Sequence, residues 1–249
     1  MKVLPVLDLL HGIVVRGVAG NRDEYRPVES CLVTTSDAVA VARAFRDKLG
    51  LNELYVADLD AILHDKPNIS TYRALADETF NIMIDAGVRD LEQAKIIFDS
   101  GAKAVIAGLE TLPGPRHLRQ LCAHAGPERT IFSLDMQMGQ PLGELSGWRS
   151  ADPFEIAVEA IDVGLEQIII LDLAQVGVAA GLSTTTLCQR LTEAYPHVRI
   201  ITGGGVRGTD DLHALQSLGV HGALVASALH NGTIDTMVLE RLQADMLRG

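Results

Sequence analysis

Met83-Ile84-Asp85-Ala86-Gly87-Val88-Arg89 and Ile201-Thr202-Gly203-Gly204-Gly205-Val206-Arg207 are two versions of one phrase: an apolar strand ending, a turn of small residues, then Val-Arg. The run that follows each is also shared, Val105-Ile106-Ala107-Gly108 after the first and Leu224-Val225-Ala226-Ser227 after the second. Working outward, an apolar run ending in Asp8 matches one ending in Asp135, and a run ending in Asp58 matches one ending in Asp172. Such self-similarity at half-chain length points to a closed barrel with an internal pseudo-twofold axis. The half repeats would span about residues 1–125 and 126–249 of one domain, 1–249.

Apolar runs rich in Val and Ile recur at 3–7, 54–57, 81–84, 104–107, 130–134, 167–171, 198–201 and 222–226, each followed by a turn and a stretch of helical spacing. Their apolarity is continuous rather than alternating, as expected of parallel strands covered on both faces. Residues 38–49, 91–100, 153–163 and 210–218 read as amphipathic helices, with Asp37, Asp90, Asp152 and Thr209 at their caps or in their first turns. The fold class is therefore α/β, a single (β/α)8 TIM barrel with an internal half-barrel repeat. A doubly wound open sheet is the alternative, and the half repeat weighs against it.

A chain of 249 residues, 47% hydrophobic and 21% charged, buries a large core and is not disordered. Its net charge of -11 supplies no basic footprint for nucleic acid or for an anionic membrane. Cys31, Cys122 and Cys188 are odd in number and lack metal-ligand spacing, which argues against a disulfide framework or structural zinc. The apolar opening is broken by Asp8, and no apolar run approaches the ~18 residues of a membrane span, so the expected location is the cytoplasm. Nothing selects between a monomer and a homo-oligomer.

In this architecture the active site is built at the C-terminal ends of the strands. Asp8, Asp58, Asp85, Asp135 and Asp172 all stand there, with Asp60 close behind. Any one of them can simply cap the following helix. Asp8 and Asp135, at matched places of the two halves, form a candidate general acid and general base on two sides of one substrate. Gly203, Gly204 and Gly205 after the seventh strand, with Ala226 and Ser227 after the eighth, are a candidate phosphate site, because glycines let backbone amides approach an anion. Oxygen-only ligands would suit magnesium or manganese, but no metal or cofactor is called for.

Val3 to Leu9 with Gly12 to Arg16, Tyr55 to Ala61, Thr202 to Val206, and Gly147-Trp148 together resemble the HisA and HisF proteins of histidine biosynthesis over nearly the whole chain. The resemblance implies an essential aspartate pair at Asp8 and Asp135, and phosphate turns in both halves. Its activity would be an Amadori rearrangement: ring opening of an aminoaldose, then proton transfer between C2 and C1. Arg16, Asp58, Asp172 and Trp148 are the candidate substrate contacts, and Arg22, Arg26, His64, Lys66 and Asn68 are further loop candidates. The stretch from Gly20 to Pro27 and the run from Ala57 to Ile62 resemble a divergent branch of that family, associated with methanogens and methylotrophs that make tetrahydromethanopterin and methanofuran.

The departures are chemical. The isomerase pattern has Asp-Gly-Thr after strand six, whereas this chain reads Val176-Gly177-Val178; the first phosphate turn is Asp85-Ala86-Gly87, with Glu110 nearby. A carboxylate beside a phosphate dianion is repulsive by about a kcal/mol or more even at a surface-like dielectric. The chain thus reads as equipped for one phosphate, on a small phosphorylated metabolite. Three functions stay in play: a HisA-like isomerase outside the histidine pathway proper, a lyase or synthase of one-carbon carrier assembly, and a non-catalytic metabolite-binding barrel.

Overall fold

Continuous Val/Ile runs form strands because branched side chains pack well on a pleated surface, and here both faces of that surface are covered. In the computed structural model, which describes residues 1–178 and 181–246, eight such strands close into one parallel ring. They are β1 (Lys2–Leu10), β2 (Glu53–Asp58), β3 (Asn81–Asp85), β4 (Ala104–Gly108), β5 (Thr130–Gln137), β6 (Gln167–Asp172), β7 (Arg199–Gly203) and β8 (Gly222–Val225). Each pairs in parallel with the next, and β8 returns to β1 through Lys2↔Gly222 to Pro5↔Val225. The fold is a (β/α)8 barrel.

Strand parity sorts the side chains. Leu4, Tyr55, Met83, Ile106, Ile131, Ile169, Ile201 and Leu224 fill the barrel, while Leu7, Val56, Ile84, Phe132, Ile170 and Ile200 face the helices. Burying each such side chain stabilises by roughly 1.5–3 kcal/mol. The surrounding helices include Ala38–Leu49, Leu91–Asp99, Pro153–Ile161 and Thr209–Ser217. Asp37, Asp90 and Asp152 cap the first three through backbone amides of the first turn, whereas Gly208 precedes the fourth, which Thr209 begins.

Two strands run beyond the ring. β1 turns at His11 (φ 54) and Gly12 (φ 75) to pair antiparallel with Ile13–Arg16, and β5 turns at Met138 (φ 51) and Gly139 (φ 75) to pair with Gln140–Pro141. Left-handed backbone at both central residues is the geometry of a tight two-residue hairpin. Matched hairpins thus stand at matched places in the two halves. They also explain why both strands outrun the apolar segments 3–7 and 130–134.

Over the mouth, the loop after β1 meets the loop after β6. Ala19 N donates to Val176 O at 2.7 Å, and Arg16 Nη2 donates to Gly177 O at 3.0 Å. A Cβ on Gly177 would lie 1.9 Å from Gly17 O, so this approach needs glycine there. Cys31, Cys122 and Cys188 are unpaired thiols. Among the described residues no helix is long and apolar enough to cross a membrane.

Candidate active site

At the C-terminal end of the barrel lies a cavity enclosing about 1010 Å³ of open space, mouth included. Its floor is the top of the barrel core, Val6, Tyr55, Leu171 and Leu224; Tyr25, Leu173 and Val176 close over it from the rim. Asp8, Asp85, Asp135 and Glu110 supply its acidic wall, and Gly204, Gly205, Ala226 and Ser227 the opposite, amide-rich side. The structure therefore brings the two carboxylates and four of the five phosphate candidates to one cavity, and the fifth, Gly203, ends β7 without lining it. Position in the strand explains which acids arrive. Asp8, Asp85 and Asp135 share inward parity with Val6, Met83 and Ile131.

Asp8 is half-buried and burial alone pushes its carboxyl up to about 7. Asp135 is 6% exposed and is pushed up to about 8, by burial first and then by the charge of Asp85. The Ser133 hydroxyl, donating to Asp135 Oδ1 at 2.7 Å, pulls the other way. Two carboxyls that titrate near neutrality are suited to exchange protons with a substrate. Tyr55 has its hydroxyl 3.3 Å from Asp85 Oδ2; burial, then Asp85, Asp135 and Asp8, hold it protonated, well above the usual phenol range.

The glycine turn after β7 is tight for reasons of packing. A Cβ would lie 2.7 Å from Leu224 Cβ at Gly203, 2.8 Å from Asp172 O at Gly204 and 2.2 Å from Gly181 O at Gly205. Gly204 and Gly205 also have φ of +84° and +86°. After β8 the chain enters the one-turn helix Ser227–His230. Arg16 lines a groove continuous with the cavity, beside Asp8, Ala226 and Ser227. The matching turn of the first half is different: Gly87 N donates to Asp85 Oδ1 at 3.1 Å, so its own aspartate already occupies that amide.

Three sequence candidates lie elsewhere. Asp58 faces outward, is 0% exposed, and accepts from Ala61 N at 3.2 Å, Asn68 N at 2.7 Å, Asn68 Nδ2 at 2.9 Å and the Tyr72 hydroxyl. Asp172, also outward, accepts from Met138 N, Gly139 N, Ala174 N and Ser183 Oγ. Both acids hold loops. Trp148 stacks on the outward-facing Phe132 at 5.2 Å between ring centroids, in the layer between barrel and helices. The cause is common to all three: their strand parity, or that of their partner, points away from the barrel axis. His64 and Lys66 are exposed outside the cavity wall, and Arg26 donates to the carbonyls of Asp23 and Tyr25 within its own loop. The Arg22 side chain lies outside the described residues. Tyr55 and Tyr25 were missing from the candidate set, and Val176 was marked only as a departure; Tyr55 lies three residues before Asp58, so reading Asp58 as a site acid turns Tyr55 away from the barrel. Among the described residues no group of three or more His, Cys, Asp or Glu is arranged to hold a metal ion.

A family model described as "Histidine biosynthesis protein" matches residues 2–235. An uncharacterized protein of Methanocaldococcus jannaschii is 31% identical, with 94% of this chain and 96% of that protein covered. The 1-(5-phosphoribosyl)-5-((5-phosphoribosylamino)methylideneamino) imidazole-4-carboxamide isomerase of Thermus thermophilus is 29% identical over 94% of this chain and 96% of its own length. The isomerase of the same name from Azoarcus sp. is 29% identical over 100% of this chain and 98% of its own.

Proposed function

The chain belongs to the histidine biosynthesis protein family, and on that premise we propose that it is a HisA-like isomerase acting on a small phosphorylated sugar or sugar–amine. The observation that carries this reading is the pair Asp8 and Asp135, on matched strands, facing one cavity and both titrating near neutrality. One carboxyl gives a proton to the ring oxygen as the C1–O bond opens, and one carboxylate takes the proton from C2. Return of a proton to C1, as the C2 hydroxyl gives up its own proton to form the ketone, completes the rearrangement. Gly204, Gly205, Ala226 and Ser227, with Gly203 fixing the turn, hold the phosphate, and Arg16 adds a positive charge at its edge. Asp58, Asp172 and Trp148 support loops in this scheme and do not touch substrate. No lysine lines the cavity among the described residues, which disfavours a Schiff base with the protein.

A crystal grown with sulfate or phosphate should hold an anion on the amides of Gly204 and Gly205 near Ser227, and none at Asp85 to Gly87. Equal occupancy of the two turns would overturn the single-phosphate reading.

The substrate is proposed to differ from that of the histidine pathway, because Asp85 occupies the first-half turn and Val176 stands where the isomerase pattern has aspartate. Expression in a bacterial strain lacking the histidine-pathway isomerase should leave it dependent on added histidine. Robust growth without histidine would show that these departures are tolerated. The link to one-carbon carrier assembly in the cytoplasm is part of the same proposal, and the genes flanking this one are its direct test.

A further inference from the structure

Resting on the isomerase reading, with its phosphate at Gly204 and Gly205, we propose that the rest of the substrate carries an uncharged ring, seated over Tyr55 between Leu59 and Ile62 on one rim and Leu173 and Val176 on the other.

The first-half turn, where a second phosphate would sit, is built shut. Both half repeats end their shared phrase in Val-Arg, but the two arginines are used differently. Arg207 turns to its own helix and pairs with Asp211, through Nε at 3.0 Å and Nη2 at 2.8 Å. Arg89 instead donates to Gly87 O at 3.0 Å and to Ile62 O at 3.2 Å, which ties the helix Leu59–His64 onto the turn. Gln93 adds a second tie, its Nε2 donating to Asp65 Oδ1 at 3.0 Å. Ile62 is thereby held against the turn: a Cβ on Gly87 would lie 2.9 Å from Ile62 Cα and 3.4 Å from its Cγ1. The Gly87 amide already donates to Asp85, so what this end of the cavity presents is a branched alkyl side chain.

The space between the rims is apolar on three sides. Leu59 and Ile62 follow β2, Leu173 and Val176 follow β6, and these two strands lie opposite each other in the ring, with Tyr55 on the floor. Ile62, Leu173 and Val176 are only partly buried, so each has surface left for a substrate to cover. Covering it is favourable for an apolar group and strips a charged one of hydration. A ring touches both rims at once, and it adds a contact with the Tyr55 ring that a chain lacks. Among the described residues lining the cavity there is no lysine or arginine to neutralise a second phosphate. A positively charged end is the rival occupant, given the carboxyls of the acidic wall, and a series of probes separates the two.

The test is a methyl-detected NMR titration of the full chain with four phosphate esters and one alcohol. Benzyl phosphate should bind about tenfold more tightly than propyl phosphate and shift the methyls of Ile62 and Val176. Propane-1,3-diol bisphosphate should gain nothing over propyl phosphate. Ile62→Ala and Val176→Ala should each weaken benzyl phosphate severalfold and leave propyl phosphate unchanged. Equal affinity for the benzyl and propyl esters, or tighter binding of the bisphosphate or of 3-aminopropyl phosphate than of the benzyl ester, would overturn the inference. The comparison among esters uses the wild type alone and holds whether or not a variant folds. Benzyl alcohol separates this inference from the reading beneath it. If no ester binds but the alcohol shifts the Ile62 and Val176 methyls, the phosphate part of the isomerase reading fails and the ring seat stands. If the esters bind with no advantage for the ring, the ring seat fails and the isomerase reading stands. Silence of those methyls toward both benzyl compounds would also sink the ring seat.

Discussion

Asparagine at position 8 or at position 135 should lower turnover by ~10²- to 10⁴-fold with the barrel still folded. The amide keeps the shape of the carboxyl, and at Asp135 it keeps an oxygen for the Ser133 hydroxyl, so what is removed is proton transfer. Stability should move the other way, with a definite dependence on pH. Both carboxyls sit far above the ordinary 3.8, at about 7 and about 8. Between about pH 4 and those values the native state holds protons that the unfolded chain has released, so wild-type stability falls as pH rises through that window. A variant without the carboxyl escapes that fall. Each should melt above the wild type at pH 8, by up to a few kcal/mol in stability, and lose the advantage near pH 4. Melts at the two pH values beside a turnover rate check both halves of the expectation. Wild-type turnover in both variants would remove the acid–base pair, and the proposed chemistry with it.

Alanine at position 58 should have the opposite signature: a large loss of stability with little change in the rate of the molecules that remain folded. Asp58 is fully buried and gathers four donors from the loop and helices that follow β2. Truncation strands the amides of Ala61 and Asn68, the Asn68 side chain and the Tyr72 hydroxyl without an acceptor. Breaking such a buried network costs about 3–5 kcal/mol, or ~10 °C or more in melting temperature for a chain of this size. Asp58→Asn should be milder, since one oxygen can still accept. A melting curve for Asp58→Ala that overlays the wild type would contradict the network; a kcat lowered as far as in Asp8→Asn would return Asp58 to the site.

The barrel was legible because two-sided burial writes itself into sequence as unbroken apolar runs, and because the two halves repeat the same phrase around Asp85 and Gly203. What ran past those runs was harder to see. The hairpins at His11-Gly12 and Met138-Gly139 lack the Asn-Gly or Asp-Gly pair that usually marks such a turn. The ring of acids was read from position along the chain alone, and this merged two populations that strand geometry separates. Side chains alternate along a strand, so Asp58, one residue beyond the inward Ala57, and Asp172, one beyond the inward Leu171, point to the helices. Asp8, two beyond Val6, points to the cavity. Leu7, Leu134 and Leu171 stand immediately before Asp8, Asp135 and Asp172 alike, so with both faces of each strand apolar no local count divides the acids. Val176 was legible as a departure from the isomerase pattern, but its contact with the loop after β1 joins distant parts of the chain, and no local pattern carries it.

The two extended strands have a consequence for how this protein can change over time. Asp8 is pinned on both sides, by Val15 across the hairpin and by Ala57 across the barrel ladder. Asp135 is pinned by Leu171, and its carbonyl receives Leu142 N at 2.8 Å. The proposed acid–base pair therefore stands on two stiff posts, while Tyr25, Val176 and Ser227, which line the rest of the cavity, ride on loops or a short helix between them. Reactivity and selectivity are carried by mechanically separate parts. A lineage can exchange the loops, and with them the molecule accepted, without disturbing the alignment of the groups that move the proton.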